Sequence, residues 1–351
     1  MSQGKVWIFA WLLASFIVTP TVCFATSKGS IPSIDLRVFR PSTSADASLY
    51  LESSQSPGAW QGHVGSWFSY MYRPVVVRAS DGSVATSIIG HQLTMDVVGS
   101  IGISDFGALG VSVPSILYQH GDENAVSASV RGPRPLVSQA LGDIALTAKV
   151  SLVRYELGGF GLAALGQLSL PTGETYGFAG EGKVTSELRL LAEYHLLAAS
   201  IRATSGFKVR TRERSYDGDT WGNEIPWGVG VSVFPRAFGW DENGKWTWSV
   251  EAYGHLPAGP EAPFTSVAQS PAVTALSARY EVARDFFVTV GVHSPITRAV
   301  GVPDVGGVLG FSYAPKRSDM DEDGIDDQDD ECPELAEDID GDEDDDGCPD
   351  F

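Results

Sequence analysis

The chain has 351 residues, with 24 Lys or Arg against 44 Asp or Glu and a formal net charge of −20. Nineteen of those acids fall in the last 33 residues, which hold no Lys or Arg, so the first 318 positions carry 25 acids against 24 bases and are close to neutral. A neutral body joined to a dense acidic end excludes nucleic acid as a partner, because phosphates repel the end and meet no basic excess on the body.

At the N-terminus, Lys5 supplies a short positive region and Val6 to Val18 an apolar stretch that stops before Pro20. The stretch is too short to span a bilayer. Cys23-Phe24-Ala25 offers small residues where a signal peptidase reads, so residues 1–25 are expected to be a signal peptide cleaved after Ala25. A lipoprotein reading on Cys23 would need a small residue where Val22 stands. Residues 26–59, rich in Ser and Pro, read as a periplasmic lead-in in which Leu36, Val38 and Phe39 suggest a short extra strand.

Residues 60–315 contain no run near the roughly 20 apolar residues of a membrane helix. Period-two alternation takes its place. In residues 184–196 one face reads Val184, Leu188, Leu190, Ala192, Tyr194, Leu196 and the other Thr185, Glu187, Arg189, Glu193, His195. The next segment sets Ile201, Ala203, Phe207 and Val209 against Ser200, Arg202, Thr204, Lys208 and Arg210. Charges in mid-strand require one apolar and one wet face. Twelve strands are expected, at about 63–73, 88–103, 107–119, 142–155, 159–171, 183–196, 197–210, 224–236, 245–257, 274–284, 286–296 and 305–314.

Their connections alternate in length. Tight links at Ser104-Asp105-Phe106, Leu157-Gly158, Leu196-Leu197 and Arg284-Asp285 alternate with long ones such as 121–140, 172–182, 211–223 and 258–273. Short turns on one side, long loops on the other and aromatics near strand ends (Phe68, Tyr70, Tyr72, Tyr194, Trp246, Trp248, Tyr280 and Phe311) predict an all-β fold, a transmembrane antiparallel β-barrel whose partner is outer-membrane lipid. A closed barrel satisfies every backbone donor in lipid, whereas an open sheet edge would not. The alternative, a soluble periplasmic barrel or sandwich, would pack charges such as Lys149, Glu187, Arg189, Glu193, Arg202, Lys208, Glu251, Arg279 and Glu281 into an apolar interior. A wet lumen tolerates them.

The last segment, residues 316–351, has a spacing of its own. From Asp319 the carboxylates stand at Asp319, Asp321, Asp323, Asp327 and Asp330, with Gly324 at the sixth position and the Ile325 carbonyl at the seventh, which are calcium-loop positions. A second run, Asp338, Asp340, Asp342, Asp344 and Asp346, ends in Gly347-Cys348-Pro349. Calcium is therefore the expected cofactor; the alternative is a solvated acidic tail that binds cations diffusely. Cys332 and Cys348, the pair left after signal-peptide removal, read as a disulfide in an oxidising compartment.

The pattern D-x-D-x-D-G-x-x-D-x-x-D-x-C-P resembles thrombospondin type 3 repeats, which implies aspartate-ligated calcium, a chain wrapped around its ions and paired cysteines. The stretches R-P-V-V-V-R-A-S-D-G at 73–82, V-P-S-I-L-Y-Q-H-G-D at 113–122, G-D-I-A-L-T-A-K at 142–149 and L-S-L-P-T-G-E at 168–174, followed by acidic repeats, make the whole similar to OmpA-like outer-membrane proteins. The peptidoglycan-binding domain of that group does not follow before Phe351, so cell-wall anchoring is not expected.

No catalytic constellation emerges: there is no G-x-S-x-G element, and His63, His91, His120, His195, His255 and His293 are scattered over separate segments, so no enzyme is expected. The expected role is an outer-membrane structural or interaction protein with a calcium-stiffened periplasmic tail that meets an envelope protein. Two alternatives stay open: a weakly selective, porin-like channel lined by the mixed charges above, and a calcium-dependent adhesin, which would need an odd strand count to put the tail outside.

Overall fold

Alternating sequence becomes alternating burial along each strand. In Thr185–His195 the outward Leu190 is 56% exposed while the inward Glu193 is 1% exposed. The computed structural model describes residues 34–44, 48–79, 81–122, 136–154, 159–211, 214–216, 219–259 and 267–315, with Cys332, Leu335, Cys348 and Pro349. The strands in chain order are β1 Gly62–Arg78, β2 Val84–Ser104, β3 Gly107–His120, β4 Ala140–Leu141, β5 Ala145–Val153, β6 Gly159–Ser169, β7 Thr185–His195 and β8 Ala199–Arg210. They continue as β9 Arg214–Tyr216, β10 Asp219–Trp221, β11 Glu224–Val233, β12 Trp246–Pro257, β13 Ala272–Ala283, β14 Phe286–Pro295 and β15 Val305–Tyr313.

All strand pairs are antiparallel, and β1 bonds both β2 and β15, with Ser66 opposite Val97 on one side and Phe311 on the other. The sheet therefore closes on itself. Twelve strands form the wall; β4 is a two-residue extension beside β3, and β9 and β10 form a separate two-stranded sheet in the connection between β8 and β11. Closure leaves no unpaired wall edge, which lets the outer face carry Leu188, Val250, Leu276, Val290 and similar residues without a partner sheet.

The ends of the barrel differ. Trp60 and Gly102 meet at the end where the turns after β2, β5, β7 and β13 are short, and Tyr313 leaves β15 at that same end. The tightest turn, Arg284-Asp285, places Asp285 at φ 65°, a left-handed conformation that Asp tolerates, and its N–H donates to Glu281 Oε1 at 3.1 Å. Leu197, Phe238, Trp240 and Phe286 lie exposed around this end, and Tyr70 and Tyr118 toward the other. β1 and β2 run past the wall on the long-loop side, where Arg73 and Arg78 both pair with Asp304 at 2.7 and 3.5 Å.

Of the segment read as a periplasmic lead-in, residues 34–44 and 48–57 pack inside the barrel. Ile34 packs with Val75, Ile88, Ile89, Phe178 and Trp221 near the long-loop end, and Val38, Phe39, Leu49, Tyr50 and Leu51 form one cluster with the inward Trp67, Met71, Tyr253 and Val308. The reason is physical: Ser-rich as it is, the segment carries enough apolar side chains to gain by leaving water, and the polar inner wall satisfies its main chain. The short strand expected around Leu36–Phe39 does not form; the Leu36 N–H points to the Phe178 carbonyl at 3.5 Å rather than to a strand neighbour. Small wall residues make room for it. An added Cβ at Gly228 would stand 2.8 Å from Leu51 Cδ2, and one at Gly291 2.8 Å from Leu49 Cδ1.

Candidate functional site

Among the described residues the charged and polar side chains concentrate in the lumen, where the inward residues of the wall meet residues 34–44 and 48–57. Of the nine lumen charges named from the sequence, Lys149, Glu187, Arg189, Glu193, Arg202, Lys208 and Glu251 are buried there, and Arg279 and Glu281 are half-buried toward the short-turn mouth. Strand register explains the grouping: Glu193 faces Arg202 across β7 and β8, and Glu187 faces Lys208.

Near the long-loop mouth, Glu181 from the linker before β7 takes Lys208 Nζ at 3.0 Å and Arg210 Nη2 at 2.9 Å, and Glu224 takes Arg210 Nη1 at 2.7 Å. Burial alone would raise the Glu181 carboxyl, but the adjacent Lys208 ammonium and Arg210 guanidinium outweigh it and hold it below its ordinary value. The neighbouring Asp143 accepts the Glu181 N–H at 2.7 Å and the Gly173 N–H at 2.8 Å, and burial leaves its carboxyl above the ordinary range. Glu181, Arg210, Glu224 and His255 were not among the named lumen charges, although Arg210 and His255 lie on the polar side of their alternating strands. Glu181 belongs to a linker, where no alternation exists to assign a face.

In mid-barrel the inner segment brings charges of its own. Arg37 lies 2.7 Å from Asp35 and 3.3 Å from Asp96 of β2, while Glu187 and Arg189 pair at 2.8 Å. Two wall carboxylates hold main-chain donors: Glu251 accepts the N–H groups of Leu49 and Tyr50, each at 2.9 Å, and Glu193 Oε2 accepts the Ser54 N–H at 2.9 Å. Lys149 Nζ donates to the carbonyls of Ser53 at 3.1 Å and Gln55 at 2.7 Å. The Tyr50 ring stacks on Tyr253 with centroids 4.1 Å apart. Acids of the wall thus meet N–H groups and bases meet carbonyls, which a lumen of one sign could not do for an extended chain.

The remaining space in the lumen is uneven. Small gaps of about 40 and 30 Å³ flank Arg37, whereas a cavity of about 320 Å³ opens between Ser48 and inward residues of β7, β8 and β11 to β14 near the short-turn mouth.

Cys332 and Cys348 are joined in a disulfide with Cα atoms 5.0 Å apart. The eleven calcium ligands named from the sequence, Asp319, Asp321, Asp323, Ile325, Asp327, Asp330, Asp338, Asp340, Asp342, Asp344 and Asp346, lie outside the described residues. Among the described residues no group of three or more His, Cys, Asp or Glu is placed to hold a metal ion. Two histidines stand within hydrogen-bond distance of lumen groups: His63 Nδ1 lies 3.1 Å from the Thr43 carbonyl, and Tyr253 Oη lies 3.2 Å from His293 Nε2.

A closed, twelve-stranded antiparallel barrel with an apolar exterior and a charged interior has the fold of outer-membrane channels. The COG4313 outer-membrane channel of Pseudomonas putida F1 superposes with a TM-score of 0.56 at 10% identity, over 76% of this chain and 99% of that one. Weaker likenesses link the chain to the NanC porin, with a TM-score of 0.44, 7% identity and 73% and 99% of the two chains, and to the KdgM porin, with 0.43, 8% and 72% and 98%. No protein-family model matches the sequence, and no curated protein matches it.

Proposed function

We propose that this protein is an outer-membrane channel whose lumen is closed by its own residues 34–57. The observation that carries the reading is the inner wall itself: strand after strand presents charges inward, and those charges grip the segment through side-chain bonds to its main chain rather than through continuous sheet pairing. Water can replace such bonds as the segment withdraws, and the wall behind it is then a polar pore. A filled barrel built only for rigidity has no need of mid-strand ion pairs, since buried pairs add little to stability over apolar packing.

Orientation follows from loop length. In outer-membrane barrels the short turns face the periplasm, and β15 ends at Tyr313 on the short-turn side, which supports a periplasmic position for the acidic tail. On this reading the tail is a periplasmic, calcium-binding extension clipped by Cys332 and Cys348, available to an envelope protein. An adhesin with an external tail does not fit an even strand count.

Planar-bilayer recording of the full chain tests the proposal. Ser48 Oγ and Ser232 Oγ lie 3.2 Å apart, so S48C/S232C is expected to lock the segment to β11 when oxidised. Native protein should show infrequent openings, oxidised S48C/S232C none, and a variant lacking residues 34–57 a persistent conductance. Silence from the folded deletion variant, checked by heat-modifiable gel migration, would remove the channel and leave the barrel as a membrane anchor for the tail.

A further inference from the structure

The inner wall meets residues 49–55 as a peptide rather than as one particular sequence. Glu251 of β12 accepts the N–H groups of Leu49 and Tyr50, and Glu193 of β7 accepts that of Ser54. On β5, Lys149 Nζ donates to the carbonyls of Ser53 and Gln55, and Ser151 Oγ donates to the Ser54 carbonyl at 2.7 Å. Three N–H groups and three carbonyls within seven residues thus find side chains of the wall. Every peptide carries such groups, so the same bonds are open to a second chain laid along the same path.

Specificity comes from the side chains. Leu49 and Leu51, two positions apart, are fully buried where glycines make the wall recede. An added Cβ at Gly291 of β14 would stand 2.8 Å from Leu49 Cδ1, and at Gly228 and Gly230 of β11 it would stand 2.8 and 2.7 Å from the Leu51 methyls. Between the two leucines the Tyr50 ring lies on Tyr253 of β12, centroids 4.1 Å apart and planes 7° from parallel. Main-chain bonds combined with receptacles for alternate side chains are the pattern by which proteins bind extended peptides. A sugar lacks the paired apolar groups, and an apolar or aromatic acid lacks the run of donors and acceptors.

We propose that the lumen takes up a short extended peptide with bulky apolar side chains two residues apart, and that residues 48–56 keep the barrel closed by holding that peptide's place. This names the solute of the channel proposed above and rests on that reading. A tethered segment competes at an effective concentration on the order of millimolar, so a free peptide displaces it only at comparable concentration or when the hold of the segment is weakened.

Equilibrium dialysis against the full chain in non-ionic detergent is the test, with a radiolabelled, end-blocked octapeptide of unrelated sequence, Gly-Thr-Leu-Phe-Leu-Thr-Thr-Gly, as probe. L49S/L51S loosens the tethered segment and leaves the wall intact. This variant should bind the probe saturably and about tenfold or more tighter than the native chain does. Oxidised S48C/S232C, whose segment cannot leave, should not bind it. An isomer with its leucines adjacent partitions equally into micelles and should bind about tenfold more weakly. So should a probe N-methylated at its first leucine and its phenylalanine, which cannot donate to Glu251. With the native chain, probe at a concentration on the order of millimolar should expose residues 34–57 to protease while the isomer does not, a readout that needs no substitution. No saturable binding to the folded L49S/L51S chain, or equal binding of the isomer, overturns the inference; if L49S/L51S loses heat-modifiable migration, the protease measurement decides alone. A barrel that conducts without residues 34–57 and ignores the probe keeps the channel and overturns the peptide site. One that binds the probe and stays silent keeps the peptide site and overturns the channel.

Discussion

Glu251 of β12 accepts the main-chain N–H of Leu49 at 2.9 Å, and its second oxygen takes the next N–H, that of Tyr50, at the same distance. One buried wall carboxylate therefore satisfies two consecutive donors of the segment that fills the lumen. A chain that crosses a barrel without joining its sheet must find such partners one by one, because each buried donor left unmade costs about 1–3 kcal/mol. Removing the carboxylate is the sharpest way to loosen the segment. Glu251→Ala is expected to raise the open probability in planar bilayers by about tenfold or more, as expected from losing one such donor's partner. Glu251→Gln, which keeps an acceptor oxygen, should raise it less. Equal, unchanged activity in both variants would mean that the bond pair does not hold the closed state.

Apolar docking of the same segment rests on Gly228 of β11. A methyl group there would meet Leu51 Cδ2 at 2.8 Å, Tyr50 Cε1 at 3.2 Å and Thr204 Cγ2 at 3.3 Å, all of them side-chain atoms. Strand pairing of β11 with β8 and β12 is untouched by that contact, so the wall should persist while Leu51 and Tyr50 shift. Gly228→Ala should therefore increase protease cleavage within residues 34–57 and spontaneous openings, with heat-modifiable migration retained. An overpacked core site costs typically 1–3 kcal/mol, enough to change the closed population several-fold. Cleavage at the native rate would show that this close approach relaxes without moving the segment.

The linker carboxyl Glu181 gives a pH signature outside the wall. Its value is held below 4.5 by Lys208 and Arg210 against the opposing effect of burial. A carboxyl depressed in the folded state contributes stability that is fully present above its unfolded value and is lost as pH falls through the folded one. The native chain should therefore unfold at a higher temperature than Glu181→Gln at neutral pH, with the difference shrinking below pH 4.5. A difference that stays constant to strongly acid pH would assign the effect of the substitution to shape and not to charge.

The wall was legible because lipid and water impose period two on every strand, so Leu188, Leu190 and Glu187, Arg189 sort themselves onto opposite faces without knowledge of any neighbour. Residues 34–57 were not, because a segment held by side chains has no repeat. Its signal was compositional: Ile34, Leu36, Val38, Phe39, Leu49, Tyr50 and Leu51 are too many apolar residues for a solvated connection. The same blindness applies to Glu181, which sits in a linker, and to the cavity beside Ser48, whose wall draws on β7, β8 and β11 to β14, distant segments that no local repeat connects to Ser48.

For the acidic tail the expected behaviour is calcium-dependent order. The sequence Asp319 to Asp330 offers alternate carboxylates around Gly324, and on the proposed calcium-binding reading the disulfide between Cys332 and Cys348 shortens the chain to be ordered around the second run. Repulsion among nineteen acids opposes folding until a divalent cation neutralises them, so calcium and not monovalent salt should slow cleavage of residues 319–348 by protease. On the proposed calcium-loop reading, Asp323→Ala and Asp327→Ala should each weaken calcium binding to the full chain by about tenfold, the energy of a charge-assisted contact. Because the barrel carries its own charges in internal pairs, these substitutions should leave heat-modifiable migration and bilayer conductance unchanged. Equal protection by magnesium and calcium at the same concentration would point to diffuse screening by the acids rather than to a loop fitted to one ion.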